Sequence, residues 1–529
     1  MKALTLPLLF LSLNLSLIAQ TYDAQSAKFS RMLGLIDTYY VDTVDKPKLV
    51  EDAIVAMLQK LDPHSVYISK DEVAAMNEPL QGNFEGVGIQ FNITNDTLMV
   101  VQTIAGGPSE KLGIRAGDRI VIIDKDTVAG VGLQNSQVVK KLRGAKGTKV
   151  TVFIVRQGEK QLLEFEIIRD KIPIYSLDAA YIIADQTAYI KLNRFAATTM
   201  DEFRKAVDSL KRTGFENLIL DLRGNGGGYL NTAFELADEF LESGRLVVYT
   251  EGVHQSKKVY EASSSGNFDK GRVIVLVDEG SASASEIVSG AIQDWDRGLV
   301  IGRKTFGKGL VQQPFNLTDG SMVRLTVARY YTPSGRCIQK NYEDGLEDYA
   351  ADIVKRYNNG ELTNADSIHF PDSLKYKTLV NKRTVYGGGG IMPDVFVPLD
   401  TTIYTDYYKA MSRKGIIYQY VVEYIDAHRT ELSQKYPDFN TFNQNFVVDT
   451  SMYQAIKNRA EAKKINPKDE AEFENTKSEM SLLIKSLLAR DLWNTNEFYM
   501  VLNSADETLK QAVQIVTDKK AYQNRLNSK

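Results

Sequence analysis

Arg272-Val273-Ile274-Val275-Leu276-Val277-Asp278-Glu279-Gly280-Ser281-Ala282-Ser283-Ala284-Ser285-Glu286 reads as a buried strand over Arg272–Val277, a tight polar turn and a helix that runs from about Ser283 to Trp295. An unbroken apolar run of this length, rich in β-branched residues, is the pattern of a strand covered on both faces. The same alternation surrounds it. Ala188–Leu192 reads as a strand, Met200–Lys211 as an amphipathic helix, Asn217–Leu222 as a buried strand and Leu230–Leu241 as a helix. Leu299–Gly302 and Met322–Tyr331 are further strands. Strands and helices in this order predict an α/β domain over residues 171–400. Within it, 341–380 is polar and aperiodic and reads as an insertion.

The flanks have a different character. Residues 83–170 carry short β-rich runs (Gly88–Phe91, Leu98–Val101, Arg119–Ile123, Lys149–Val155, Leu162–Ile168), separated by glycine turns and one helix near Ser136–Leu142. Residues 24–80 show helical spacing in Leu33, Ile36 and Tyr40, then in Ile54, Met57, Leu58 and Leu61, with Asp62-Pro63 as a stop. Residues 401–529 are charged, poor in glycine and proline, and read as a helical extension. Residues 1–20 have one lysine, an apolar run from Leu4 to Ile18 and a small Ala19, the pattern of a signal peptide. That places the mature protein in the periplasm or outside the cell, with no stable membrane span expected.

Composition narrows the function. The 529 residues suggest three to four folded units at roughly 100–200 residues each. With 64 basic and 67 acidic residues the net charge is −3, which gives no reason to expect nucleic acid as a partner. The single cysteine, Cys337, and four scattered histidines cannot build an internal disulfide or a Cys/His zinc cluster. No cofactor or metal is implied.

Four segments carry chemistry. In the opening stretch, a serine between strand and helix faces the amide groups of a helix start, which favour developing negative charge. The same Ser283-x-x-Glu286 is also a capping box, and nothing in the residues selects Ser283 over Ser281 or Ser285. In Thr305-Phe306-Gly307-Lys308-Gly309-Leu310-Val311-Gln312-Gln313, a lysine between glycines lies in tight backbone, with Gln312 four residues on. A surface lysine in a glycine turn fits the same letters. A lysine acting as a base must be neutral and therefore buried. In Asp221-Leu222-Arg223-Gly224-Asn225-Gly226-Gly227-Gly228, a strand enters a glycine loop that is neither a P-loop nor a dinucleotide fingerprint; an oxyanion hole or a bare tight turn remains. In Phe84-Glu85-Gly86-Val87-Gly88-Ile89, Gly-x-Gly before a strand leaves amides at a sheet edge where a peptide and its carboxylate can be held.

Together these segments resemble the carboxy-terminal processing peptidases, or tail-specific proteases, over residues 30–340 and again at Gly390-Ile391-Met392-Pro393-Asp394. Leu61-Asp62-Pro63-His64-Ser65 and Tyr330-Tyr331-Thr332-Pro333-Ser334-Gly335 are similar to runs of that family. The resemblance implies an α/β core of the ClpP/crotonase type, a PDZ domain at 83–170 and serine-type endopeptidase activity by a Ser/Lys dyad. The family sets its nucleophile 25 residues before its lysine, which selects Ser283 against Lys308. Gln312 would orient the lysine, and Gly227 and Ala284 would give oxyanion amides. Phe84, Gly86, Val87, Gly88 and Ile89 would hold the substrate tail, and Arg169 looks like a regulatory linker arginine. The implied partners are proteins or peptides with exposed C-termini, and the helical termini could serve homo-oligomer or adaptor assembly. The alternative is a non-catalytic envelope binding protein on the same core.

Overall fold

The structure, a computed structural model, describes residues 24–264, 266, 268–402 and 404–527. The expected signal peptide at 1–20 lies outside the described residues. The chain divides into two compact units, one ending at Leu61 and the other beginning at Asp62. The first contains α1 (Ala24–Tyr39) and α2 (Lys46–Leu58). Asp45 caps α2 by accepting from Lys48 N. The α1 helix buries none of its residues and leaves Phe29, Met32 and Leu35 exposed.

The second unit opens with a departure from the expected helical run. Val66–Ile68 is a strand, β1, and its Val-Tyr-Ile sequence suits a pleated surface better than a helix. A helix over Lys70–Gln81 follows, and then the β-rich module. Strands β2 (Ile89–Thr94), β3 (Thr97–Thr103), β4 (Arg119–Ile123), β5 (Lys149–Val155) and β6 (Leu163–Ile168) form an antiparallel sheet in that order. Helix α3 (Asn135–Leu142) buries Val138 and Leu142 in the module's core with Val100, Ile120 and Val152.

The central sheet comprises β7 (Leu177–Ala184), β8 (Thr187–Leu192), β9 (Asn217–Asp221), β11 (Val273–Val277), β12 (Leu299–Gly302) and β15 (Val395–Phe396), adjacent in that order. All neighbours except β7–β8 are parallel. Every residue of β11 is buried, and the two-residue period sorts them. Val273, Val275 and Val277 face α4 (Thr199–Lys211), α5 (Leu230–Asp238) and α6 (Ala284–Asp294). Ile274 and Leu276 face Leu509, Ala512, Ile515 and Val516 of α9 (Glu507–Thr517). The helical C-terminal part therefore supplies one of the two layers that cover the core sheet. Its earlier helices, including α7 (Ile416–Lys435) and α8 (Glu470–Leu492), gather around their own apolar cluster.

A second, antiparallel sheet packs on the other side of α6. It contains β1, β10 (Leu246–Gly252), β13 (Leu310–Asn316) and the long β14 (Met322–Tyr331), which pairs with the other three. All eleven residues of α6 are buried between the layers. Close packing there relies on small residues: a Cβ at Gly290 would lie 2.9 Å from Thr332 Cγ2. Strands β7, β10, β13 and β15 were not foreseen from the sequence. Among the described residues no helix is long and apolar enough to cross a membrane.

Leu509→Ala should lower the stability of the core by about 2–5 kcal/mol, because Leu509 is fully packed on the sheet. Urea unfolding followed by tryptophan fluorescence measures this directly.

Candidate active site

The chain leaves β11 through a turn that uses two of its three serines as struts. Ser281 Oγ donates to Leu222 O at 2.8 Å, and Ser285 Oγ donates to Asn225 O at 2.8 Å. Both residues are buried, and both hydroxyls tie the turn to the glycine loop. Ser283 is half-buried and lines a cleft of about 400 Å³. Its backbone has φ 55° and ψ −110°, a conformation rarely taken by a residue with a side chain. The geometry thus separates three serines that the sequence left equivalent.

Glu286 holds this turn to the lysine segment. Its Oε2 accepts from Ser283 N at 2.8 Å and from Lys308 N at 2.9 Å. Its Oε1 accepts from Gly307 N at 2.8 Å and from Thr305 Oγ1 at 2.6 Å. Burial raises the carboxyl to about 7 even though these four donors lower it. Tyr330 Oη adds a second tie: it donates to Lys308 O at 2.7 Å and lies 3.1 Å from Ser283 O, so its one hydrogen is within reach of both carbonyls. The capping box is formed, and the same carboxylate joins the serine turn to the lysine segment. Glu286 was readable only as a cap partner, because the residues it reaches lie about twenty positions downstream.

Lys308 lines the same cleft as Ser283, with Gly227, Ala284, Gln312 and Arg324. Burial holds its amine below the ordinary 10.5, helped by the Arg324 charge and opposed by Glu286 and Asp62. Lys308 precedes β13 by two residues, and the strand register shifts between Val311 and Gln312, so the four-residue step is not that of a regular strand. Gln312 Nε2 donates to Thr326 Oγ1 at 3.2 Å. His64, remote in sequence, comes within range of the Lys308 charge; burial, with Lys308 and Lys340, lowers it to about 4.

The glycine loop lies against the serine turn. A Cβ at Gly227 (φ +101°) would sit 2.9 Å from Ser283 Cβ and 3.0 Å from Ala284 N, so only glycine fits. Ala284 is the first residue of α6, and its N–H has no partner within the helix. Gly227 N–H donates to Asn225 Oδ1 at 2.9 Å.

The insertion at 341–380 grips the lysine segment from outside. Arg356 donates to the carbonyls of Thr305 at 3.0 Å and Lys304 at 2.6 Å. Lys304 pairs with Glu361 at 2.6 Å, and Tyr349 Oη lies 2.8 Å from His64 Nε2. Phe84, Gly86, Val87, Gly88 and Ile89 line a separate, smaller cleft with Val139, Leu142 and Arg143. Arg169 does not reach the main cleft. It donates to Lys141 O, Leu142 O, Lys149 O and Thr148 Oγ1, binding the end of α3 to the module's exit.

Residues 186–348 match Peptidase family S41 and residues 86–167 match the PDZ domain, so the chain is a serine-type peptidase with a PDZ module. Residues 15–72 match the N-terminal domain of the activating protease CtpB, and 407–494 match a family of unknown function. The carboxy-terminal-processing protease of Bartonella bacilliformis is 36% identical over 343 residues, covering 62% of this chain and 78% of that protein. The carboxy-terminal processing protease CtpA of Bacillus subtilis is 34% identical over 389 residues, covering 70% and 82%. A solved photosystem II D1 C-terminal processing protease aligns at 30% identity and TM-score 0.35 over 59% of this chain and 83% of that one. The chain belongs to the carboxy-terminal processing protease family.

Burying Lys308 has a thermodynamic signature. The charged amine costs stability at every pH below its depressed value, and the cost fades as pH rises to 10.5. Lys308→Met should therefore be more stable than the natural protein at pH 6–7, with a gain that shrinks towards pH 10.5. Thermal melts across that range test the sign.

Proposed function

We propose that this protein is a secreted or periplasmic endopeptidase that selects proteins by their C-terminal tails and cleaves them with Ser283 and Lys308. The observation that carries the reading is the Glu286 carboxylate, which accepts from the backbone N–H groups of both Ser283 and Lys308 at the edge of one cleft.

In the proposed reaction the neutral Lys308 amine takes the Ser283 Oγ proton as Oγ attacks the scissile carbonyl carbon. The carbonyl oxygen becomes an oxyanion, for which the amides of Ala284 and Gly227 are the donors. Gly227 must turn its N–H from Asn225 Oδ1 to do this. The C–N bond then breaks, and the leaving amine takes the proton from Lys308. Water attacks the acyl ester and gives a proton to Lys308, and the acid product leaves as that proton returns to Ser283 Oγ. Gln312 orients the amine. Arg169 fixes the end of α3, which flanks the tail-binding cleft, and so is suited to couple tail binding to activity. The exposed apolar residues of α1 suit assembly through the helical N-terminus. Residues 1–20 direct export.

Ser283→Ala and Lys308→Ala should each lower kcat on an unfolded protein substrate by roughly 10⁴–10⁶-fold. For the natural enzyme, kcat should fall in acid along a single limb as the amine protonates, at a pH below 10.5. Activity retained in Ser283→Ala, or a rate that rises in acid, would sink the dyad. Amidating the C-terminus of a tailed peptide should raise KM with little change in kcat, because the smaller cleft loses the carboxylate it holds; equal KM values for free and amidated tails would count against tail selection.

A further inference from the structure

The turn before β1 carries a buried carboxylate that the reaction above does not use. Asp62 Oδ1 accepts from His64 N at 2.7 Å, Ser65 N at 2.9 Å and Thr326 Oγ1 at 3.0 Å. Its Oδ2 accepts from Ser65 Oγ at 2.5 Å, and that oxygen in turn accepts from Thr326 N at 3.0 Å. Asp62 and Ser65 therefore hold Thr326, in the middle of β14, by both its backbone and its side chain.

This arrangement has a direction. An ionised carboxylate only accepts, so the Thr326 hydroxyl places its one hydrogen on Asp62. Only lone pairs remain for its other neighbour, Gln312, which must present its NH₂ group, as the 3.2 Å contact from Nε2 has it. An amide with its NH₂ fixed on Thr326 turns its carbonyl oxygen the other way. Gln312 and Lys308 line the same cleft.

We infer that Asp62, acting through Thr326, is a positioning residue that sets the polarity of Gln312, so that Gln312 Oε1 accepts an N–H of the neutral Lys308 amine and the amine's lone pair is left for Ser283 Oγ. The inference rests on the reading of Ser283 and Lys308 as nucleophile and base. With Gln312 reversed, its NH₂ would compete for that lone pair, and the base would be neutral but misdirected. The carboxylate also acts through its charge. Lys308 is faced by Arg324 from β14, by Glu286 from α6, and by Asp62 and His64 from the turn before β1. Of these, Asp62 and Glu286 favour the ammonium form, and Arg324 opposes it.

Variants at two positions, Thr326 and Asp62, test this in the full-length enzyme. Thr326→Val keeps the shape of the side chain and removes the hydroxyl; kcat should fall roughly ten- to a hundredfold with KM within twofold. Thr326→Ser should recover most of that loss. Asp62→Asn keeps an acceptor for the turn and removes the charge, so the acid limb of kcat should move to lower pH through the charge alone; Asp62→Ala, which also frees the Thr326 hydrogen, should in addition lower kcat on the plateau above the limb with KM within twofold, which loss of charge alone would not do. Natural plateau kcat in folded Thr326→Val or folded Asp62→Ala would overturn the inference, wherever the limb lies. If Thr326→Val does not fold, Thr326→Ala, which also lacks the hydroxyl, takes its place. Ser283→Ala, assayed alongside, separates the failures: cleavage surviving there removes the dyad and this inference together, whereas cleavage lost there, with the natural plateau kcat kept in Thr326→Val or Asp62→Ala, removes only this inference.

Discussion

A buried carboxylate with four donors around it holds the candidate site of this protein together. Glu286 is fully buried, and its oxygens are met by three backbone N–H groups and one hydroxyl. A charge removed from water at several kcal/mol is tolerable only where such donors converge. The donors come from the serine turn and from a glycine-flanked segment about twenty residues later. Satisfying Glu286 therefore obliges those two pieces of chain to meet. Tyr330 repeats the constraint with their carbonyls. The backbone joins first, and the side chains of Ser283 and Lys308 are brought to one cleft as a result.

Rigid layers make that junction possible. The α6 helix, which carries Glu286, lies between two sheets with every residue buried, and α9 covers the far face of the central sheet. The insertion contributes from the other side, where Arg356 holds the carbonyls of Lys304 and Thr305. A lysine whose amine burial holds below its ordinary value needs such support, since a mobile segment would let the amine reach water.

Much of this was legible in the residues. The five apolar residues of β11, the helix after it and the short strands of the small module follow from periodicity and glycine turns. The strands that escaped notice have weaker signals. Leu310–Asn316 contains Gln312, Gln313 and Pro314 and is a strand because β14 offers it a partner, not because of its own propensity. The role of α9 was hidden for a similar reason: its amphipathic face is evident, but the sheet it covers was built some 230 residues earlier. At the site, the serine and lysine motifs could be named, and their joining through Glu286 could not, because a capping box predicts only local bonds. Asp62 read as a helix stop; its reach to Thr326 depends on the pairing of β1 with β14.

The backbone at Ser283 also limits which residues this position can carry. At φ 55° a side chain branched at Cβ meets its own backbone, and threonine, although it bears the same alcohol, is the least suited of the candidates. Cysteine, unbranched like serine, meets no such obstacle. The site therefore sorts reactive groups by the shape of the carbon that bears them, before reactivity has any part in the choice.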